Sequence, residues 1–231
     1  MMNMRRLNLC YDNFELKVKL PKSYFNNSTR NYPLLIVQDG DYLFKDVEAE
    51  VIFVGVLPHD RTAEYTPWPE EVSSKRYLGE ADAYLNWIVQ SLIPYMRKCF
   101  NISDKREEIG IAGASFGGLV SLYALFKYHD VFGHYILLSP SIWYPNFISF
   151  MRHQTIIETT QHIYWYVGAL EGRDSTHLNR HMVPNTERGV DILDELLISE
   201  ETTLQFIQNR KGLHRNHFFK KYFAKAIKKI Y

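Results

Sequence analysis

Short apolar runs alternate along the chain with longer amphipathic stretches. The apolar runs have the length of strands and are bounded by Pro, Gly or polar residues, which is typical of buried strands. They cover residues 33–37, 51–57, 109–112, 135–138 and 163–167. Residues 14–20 alternate apolar with polar side chains, which predicts a half-exposed strand, and residues 203–207 predict the last strand.

Four stretches place apolar residues at helical spacing, which predicts helices. They are residues 81–99, 118–128, 187–197 and 218–230. Strands that alternate with helices indicate an α/β fold, in which helices cover both faces of a mostly parallel central sheet. Ligands of such sheets bind beyond the carboxyl ends of the strands. The long connections over residues 58–80 and 140–161, here called the mouth loops, are therefore expected to line a binding site.

Length and composition favour one domain spanning residues 1–231. The 27 basic and 26 acidic side chains leave a net charge of +1, so no basic excess points to nucleic acid. No run reaches the roughly 18 apolar residues of a membrane helix, and no apolar segment follows Arg5 and Arg6 as it would in a signal peptide. We expect a cytoplasmic protein with neither a nucleic-acid nor a membrane partner.

Metal-binding patterns are weak in this sequence. Cys10 and Cys99 are far apart and belong to no CxxC motif. His177 and His181 have the i, i+4 spacing of a metal pair, but no third ligand accompanies them, so we expect them at the surface or at a pocket rim. The expectation is a protein with no metal and no organic cofactor.

The segment Gly113-Ala114-Ser115-Phe116-Gly117 matches the G-x-S-x-G pattern of a nucleophilic serine. It stands between a predicted strand and a predicted helix, which is the setting that this chemistry requires. A tight turn there would raise the Ser115 hydroxyl clear of the backbone, and glycine would be needed where neighbouring chain approaches closely. The helix amino terminus would favour developing negative charge. Ser115 is the predicted nucleophile.

A serine nucleophile needs a general base, and a neutral imidazole is the usual one near neutral pH. In this fold the base follows the last strand, on a loop before the closing helix, where the chain has His214 and His217. His214 lies in the predicted loop and is preferred, with His217 as the alternative. The acid that orients the imidazole should follow the strand at residues 163–167; Glu171 is preferred and Asp174 is the alternative.

The oxyanion of a tetrahedral intermediate needs two backbone donors. One is expected to be the amide of Phe116, the residue after the nucleophile. The second is expected from the turn that follows the strand at residues 33–37, at the amide of Asp41. Gly40 would leave space there for the substrate.

Several segments together resemble a known family. They are residues 38–44 (QDGDYLF), residues 113–118 (GASFGG) and residues 131–133 (VFG) leading to residues 139–144 (SPSIWY). These segments look like those of the esterase D branch of the α/β-hydrolases, and the resemblance covers nearly the whole chain. The Ser-Pro-Ser-x-Trp pattern, with residues 61–68 and 168–171, is most similar to siderophore esterases, which open the trilactone of enterobactin- or bacillibactin-type chelators.

The resemblance implies an α/β-hydrolase fold with Ser115 as nucleophile, Glu171 as acid and His214 as base, and it matches Asp41 to the second oxyanion donor. The chain departs from the family at residues 143–144, where Trp-Tyr replaces a common pair of tryptophans. It also lacks the usual tryptophan after the predicted base. These departures concern the substrate more than the chemistry.

A ferric tricatecholate is a bulky anion with flat aromatic arms, so cationic and aromatic side chains in the mouth loops would suit it. The predicted substrate-binding residues are Gly40, Arg61, Trp68, Trp143, Tyr144 and Arg173. The main hypothesis is a serine carboxylic-ester hydrolase that forms an acyl-enzyme and opens a catecholate trilactone siderophore to release iron. The alternatives are a general acyl or carbohydrate esterase, an S-formylglutathione-type thioesterase, and an inactive relative that binds a ligand.

Overall fold

The computed structural model describes residues 5–26 and 29–231. Its strands, in chain order, are β1 (Arg6–Tyr11), β2 (Phe14–Lys19), β3 (Leu34–Gln38), β4 (Ile52–Leu57), β5 (Glu70–Val72), β6 (Lys75–Tyr77), β7 (Ile109–Ala114), β8 (His134–Leu138), β9 (His162–Gly168) and β10 (Thr203–Asn209). Eight of them form one sheet in the order β1-β2-β4-β3-β7-β8-β9-β10, and β5 pairs with β6 in a separate hairpin.

The helices are α1 (Arg61–Glu64), α2 (Ala81–Trp87), α3 (Ile93–Cys99), α4 (Phe116–Lys127), α5 (Phe147–Arg152), α6 (Met182–Leu196) and α7 (Asn216–Ile230). A π-helical turn, Ile88–Leu92, joins α2 to α3, so the predicted helix over residues 81–99 is continuous. Short 3-10 segments lie at Tyr24–Asn26, Arg106–Glu108 and Leu178–His181.

The sheet is mostly parallel, as the alternation of strands and helices predicts. All pairs from β4 through β3, β7, β8 and β9 to β10 are parallel, whereas β1 and β2 add an antiparallel edge. The chain runs outward from β3 to β4 and returns to place β7 on the other side of β3. The turns after β3 and β7 therefore diverge, which leaves a crevice at their carboxyl ends.

Both faces of the sheet are covered, which explains why its strands are almost continuously apolar. In β7, Ile111 belongs to the core shared with α2 to α6, whereas Ala112 belongs to the core shared with α7. Phe219 and Phe223 of α7 are buried in that second core. The prediction of a mostly parallel sheet with helices on both faces is confirmed.

The mouth loops contain more regular structure than the sequence indicates. Residues 58–80 include α1 and the β5–β6 hairpin, and residues 140–161 include α5. Helix α6 begins at Met182, five residues before the predicted start at Glu187, and α4 begins at Phe116 rather than Gly118. Strand β1 was not predicted either, because as an exposed edge strand it buries none of its side chains fully.

Two histidines lie at the amino ends of β8 and β9, opposite the crevice. The ring centroids of His134 and His162 are 5.1 Å apart, and His134 Nδ1 lies 3.3 Å from the Tyr231 hydroxyl. Burial, reinforced by the charge of His162, lowers the pKa of His134 from 6.5 to about 4. His134 is therefore neutral in the folded protein at neutral pH.

This depressed pKa predicts a loss of stability in mild acid. In the unfolded chain His134 has its ordinary pKa of 6.5 and binds a proton below that pH, whereas folded His134 binds one only near pH 4. The contribution of neutral His134 to the free energy of unfolding is therefore fully present above pH 6.5 and is lost as the pH falls toward 4. His134→Gln should remove roughly 2–3 kcal/mol of the pH dependence of unfolding between pH 7 and pH 4. Urea unfolding at both pH values measures this; an unchanged pH dependence would contradict it. The exposed His153→Gln is the control.

Candidate active site

Ser115 occupies a strained turn between β7 and α4. Its backbone has φ 58° and ψ −120°, an unusual conformation for a residue with a side chain, and α4 begins at the next residue. A Cβ added to Gly113 would lie 2.3 Å from the carbonyl carbon of Gly117, and one added to Gly117 would lie 2.8 Å from Gln38 Cβ. The steric reason for glycine at both flanking positions is therefore present in the structure.

The Ser115 side chain is half-buried and lies beside a second serine. Its Oγ is 3.2 Å from Ser141 Oγ, and its amide donates to Leu138 O at 3.0 Å. Within the described part of the chain this is the one hydrogen bond of the Ser115 hydroxyl. His214 and Ser115 line the same two cavities, although no hydrogen bond joins them in the described residues.

His214 is hydrogen-bonded to a buried carboxylate. The distance from His214 Nδ1 to Glu171 Oε2 is 2.7 Å, and the Glu171 side chain is only 1% exposed while that of His214 is 36% exposed. Glu171 Oε1 accepts a hydrogen bond from Ser139 Oγ at 2.6 Å and another from the Gly168 amide at 2.8 Å. These donors compensate the burial of a negative charge. The arrangement leaves the other ring nitrogen, Nε2, available to the cavity.

The two alternatives that the sequence left open lie elsewhere. His217 is exposed in the first turn of α7, where its ring centroid lies 4.1 Å from that of Phe218. Asp174 is exposed on the loop after β9. The structure therefore brings together His214 and Glu171, the preferred pair, and not their alternatives.

Three neighbouring cavities, together called the cleft, lie along the carboxyl ends of the strands. The inner cavity, about 340 Å³, is lined by Asp39, Tyr42, Arg61, Ala114, Ser115, His214, Asn216 and Phe219. The middle cavity, about 120 Å³, is lined by Ser115, Trp143, Glu171, Gly172, Asn179, Met182 and His214. The outer cavity, about 370 Å³, is lined by Val72, Ser73, Lys75, Tyr77, Trp143, His177, Leu178 and Asn179. Each cavity shares residues with the next, so Ser115 lies between the inner and the outer parts of the cleft.

Arg61 lies on the wall of the inner cavity and is paired with a carboxylate of its own chain. Its Nε donates to Asp39 Oδ1 at 2.6 Å and its Nη2 to Asp39 Oδ2 at 2.9 Å, which is a bidentate pair. Nη2 also donates to Ala114 O at 3.3 Å. Among residues 5–26 and 29–231, Nη1 has no hydrogen-bond partner. The Arg61 charge is thus largely neutralised, and one nitrogen remains for a ligand.

Tyr42 is a further polar group of the inner cavity, and the sequence reasoning did not single it out. Burial, reinforced by the negative charge of Asp39, raises the pKa of Tyr42 above its ordinary range. Its phenol therefore stays protonated at neutral pH and can donate a hydrogen bond. The signal was present in the sequence, since Tyr42 belongs to the QDGDYLF segment that carries the family resemblance.

The predicted oxyanion donors lie at the turns after β3 and β7. Phe116 is the first residue of α4, where an amide has no partner within the helix. The Gly40 amide donates to Val56 O at 3.0 Å, whereas the Asp41 amide forms no hydrogen bond within the described residues. Gly40 itself is buried against β4, where its added Cβ would lie 3.3 Å from Leu57 Cγ. The space at Gly40 is thus filled by β4, contrary to the predicted room for substrate.

The predicted aromatic contacts separate into two groups. Trp143 is half-buried and lines both the middle and the outer cavity. Tyr144 is buried, and its hydroxyl donates to Trp68 O at 2.6 Å; Trp68 Nε1 donates to Pro145 O at 3.1 Å. Trp68 and Tyr144 therefore fasten the two mouth loops to each other, which differs from their predicted contact with substrate. Arg173 is exposed and lines none of the three cavities of the cleft.

His177 and His181, which have the spacing of a metal pair, lie on the segment before α6. His177 is exposed and lines the outer cavity, and His181 Nε2 accepts from Arg180 Nε at 3.1 Å. In residues 5–26 and 29–231, no three His, Cys, Asp or Glu side chains are grouped to hold a metal ion. None of the helices described here combines the length and the apolar character that a bilayer crossing demands.

The sheet order and the serine on a strand–turn–helix bend are those of an α/β-hydrolase fold. The chain belongs to the family described as "Putative esterase", whose model matches residues 10–228. It is 30% identical over 227 residues to the uncharacterized protein YbbA of Bacillus subtilis (strain 168), covering 92% of this chain and 90% of that protein. The predicted family resemblance is confirmed.

Solved structures show the same fold. The IroE-like serine hydrolase from Shewanella oneidensis superposes with a TM-score of 0.80 and 18% identity, over 97% of this chain and 78% of that one. The siderophore hydrolase EstB from Aspergillus nidulans superposes with a TM-score of 0.73 and 18% identity, over 97% and 94% of the two chains. At this level of identity the similarity establishes the architecture only.

Proposed function

We propose that the protein is a serine esterase in which Ser115 is the nucleophile, His214 the general base and Glu171 the acid that orients the base. The observation that carries the proposal is the 2.7 Å hydrogen bond between His214 Nδ1 and buried Glu171, in a cleft that Ser115 also lines. A carboxylate bound to Nδ1 fixes the tautomer whose Nε2 accepts a proton. Membership of an esterase family supports the same chemistry.

The reaction proceeds through an acyl-enzyme. Ser115 Oγ attacks the ester carbonyl carbon as its proton passes to His214 Nε2, and Glu171 stabilises the resulting imidazolium. The imidazolium then protonates the departing alkoxide, which leaves as the alcohol. A water molecule, deprotonated by the same nitrogen, attacks the acyl carbon and releases the acid, restoring the Ser115 hydroxyl.

The oxyanion that forms at each step needs donors already in place. The amide of Phe116 lies at the amino terminus of α4, where the helix dipole favours negative charge. The amide of Asp41 is the proposed second donor, since the neighbouring Gly40 amide is bonded to Val56 O. The neutral phenol of Tyr42 lies in the same cavity as Ser115 and is available to the substrate as a further donor.

The proposed substrate is a catecholate trilactone siderophore, in its ferric or iron-free form. The cleft extends on both sides of Ser115, so an ester with bulk on its acid side and on its alcohol side can be accommodated. Trp143 offers aromatic surface on the outer side, and Lys75 offers a positive charge there. A structural relative is itself named a siderophore hydrolase, which supports the proposal.

A substrate panel tests this assignment. The purified protein should open ferric and iron-free catecholate trilactones to linear products, which chromatography separates, and should do so with a higher kcat/KM than for p-nitrophenyl acetate. Turnover of short acyl esters alone would reject the siderophore assignment and leave a general esterase. No Ser115-dependent turnover of any ester would favour a ligand-binding relative.

Trp143→Ala should separate substrate recognition from chemistry. Because Trp143 lines the middle and outer cavities, its loss should lower kcat/KM for the trilactone by roughly tenfold. The small p-nitrophenyl acetate does not need the outer cavity, so its turnover should change less than about threefold. Trp87→Ala, a half-buried tryptophan on α2 outside the cleft, is the matched control. An equal loss for both substrates would contradict the assigned role.

A further inference from the structure

The segment Ser139-Pro140-Ser141 forms hydrogen bonds both with the turn at Ser115 and with Glu171, the acid. It follows β8 directly, and both of its serines are buried. The Ser139 amide donates to Tyr166 O at 2.7 Å, which anchors the segment to β9. Neither serine belongs to the nucleophile, base and acid assigned above.

Ser139 holds the carboxylate of Glu171. Its Oγ donates to Glu171 Oε1 at 2.6 Å, on the oxygen opposite the one that accepts from His214. The Gly168 amide donates to the same Oε1 at 2.8 Å, so with the His214 bond to Oε2 both oxygens of the carboxylate are held. Ser139 adopts a φ of 45°, a left-handed conformation that is unfavourable for serine. The surrounding hydrogen bonds maintain this conformation and aim the hydroxyl at the acid.

Ser141 holds the nucleophile turn from the other end of the segment. Its amide donates to Ser115 O at 3.0 Å, and its Oγ lies 3.2 Å from Ser115 Oγ. Between the two serines, Pro140 packs on the first turn of α4: a Cβ added to Gly118 would lie 3.0 Å from Pro140 Cα. The three residues therefore contact the nucleophile, its helix and the acid at once.

We infer that Ser139 and Ser141 are positioning residues for the proposed reaction. Ser139 sets the orientation and basicity of Glu171, and through it the imidazole of His214. Ser141 sets the position of the Ser115 side chain in the resting enzyme. The inference rests on the proposed function, because it assigns these roles relative to Ser115, His214 and Glu171. It also gives a physical reason for the Ser-Pro-Ser pattern in this chain.

Ser139→Ala tests the first role. Loss of a hydrogen bond to a buried carboxylate should lower kcat for p-nitrophenyl acetate by roughly tenfold with KM unchanged. With one donor fewer, the carboxylate is more basic and binds the imidazolium more strongly. Since the reaction needs the neutral imidazole, the acid limb of the pH–kcat/KM profile should move to higher pH. Ser139→Cys, whose thiol is a weaker donor, should fall between wild type and Ser139→Ala.

Ser141→Ala tests the second role. The Ser115 side chain would lose its hydrogen-bond partner and occupy more orientations, so kcat should fall several-fold with KM unchanged. The acid limb of the pH profile should stay in place, because Ser141 forms no hydrogen bond with Glu171 among the described residues. The two variants thus differ in the pH profile, which a general loss of folding would not produce.

Ser121→Ala is the matched control for both variants. Ser121 is a buried serine of α4 whose Oγ donates to Gly117 O at 2.7 Å. Its alanine variant therefore loses a buried serine hydroxyl that is not hydrogen-bonded to Glu171. It should leave kcat and the pH profile unchanged. If turnover depends on Ser115 but Ser139→Ala and Ser141→Ala behave like Ser121→Ala, the positioning roles are rejected and the proposed function stands. If wild-type turnover does not depend on Ser115, the proposed function is rejected and the positioning roles with it.

Discussion

Replacing Ser115 with alanine is expected to lower kcat/KM for an activated ester by about four to six orders of magnitude. The proposed mechanism forms its covalent intermediate on this hydroxyl. The Ser141 hydroxyl, 3.2 Å away, is buried and does not lie at the helix amino terminus. Alanine keeps the Cβ that serine already places in this strained turn, so the fold should be unaffected. Steady-state kinetics on p-nitrophenyl acetate, with circular dichroism as the folding check, measures the effect.

A Ser115→Ala variant that retained more than about one hundredth of the wild-type activity would contradict the assignment of the nucleophile. Ser121→Ala serves as the control here too, because it removes a buried hydroxyl from α4, the helix that Ser115 precedes. A binding protein of the same fold would differ from both cases, since it would show no turnover to lose.

The second large effect is expected at the base. His214→Ala should lower kcat/KM by about three to five orders of magnitude, because no other imidazole in the described residues lines the inner or middle cavity. His217→Ala, three residues away and exposed on α7, should retain activity within about threefold. The comparison of these two variants by kcat/KM and pH profile tests the choice between them.

Reversal of the two histidine results would exchange their roles. It would also separate the base from Glu171, because the carboxylate is bonded to His214. Equal and small effects of both substitutions would reject a histidine-dependent serine mechanism altogether. Either outcome would show that the hydrogen bond between His214 and Glu171 is structural.

The strands and the turn at Ser115 could be predicted because the sequence patterns that indicate them are local. A buried parallel strand reads as an apolar run, so the predictions over residues 33–37 and 109–112 coincide with most of β3 and β7. The G-x-S-x-G spacing reflects a contact inside one turn, between Gly113 and Gly117. The positions of Glu171 after the strand at residues 163–167 and of His214 in the loop before the closing helix then made them the preferred acid and base.

Features that depend on distant contacts could not be predicted in the same way. The link from Ser139 to Glu171 spans 32 residues, and nothing in the pattern around either residue indicates it. The bidentate pair of Arg61 with Asp39 spans 22 residues and changes a predicted ligand cation into a largely neutralised one. Tyr144 and Trp68 have aromatic side chains that would suit the predicted ligand. A hydrogen bond between these two residues, which are 76 positions apart, instead joins the two mouth loops.

The start of α6 shows a different limit. Its first turn includes Pro184 and polar residues, which hide the apolar periodicity that begins to be clear only after Glu187. Proline is tolerated in the first turn of a helix because the amide it lacks has no partner there. Met182, at the start of this helix, lines the middle cavity. The sequence pattern therefore predicted neither the first turn of this helix nor its contribution to the cleft.

Covalent labelling tests the central claim most directly. An organofluorophosphate reacts with a serine whose hydroxyl is activated by a neighbouring base and leaves a phosphoryl group on it. Intact-mass and peptide mass spectrometry should find one adduct on the wild-type protein, on the peptide that contains Ser115, and none on Ser115→Ala. An unlabelled wild-type protein, or an adduct on another residue, would contradict the account.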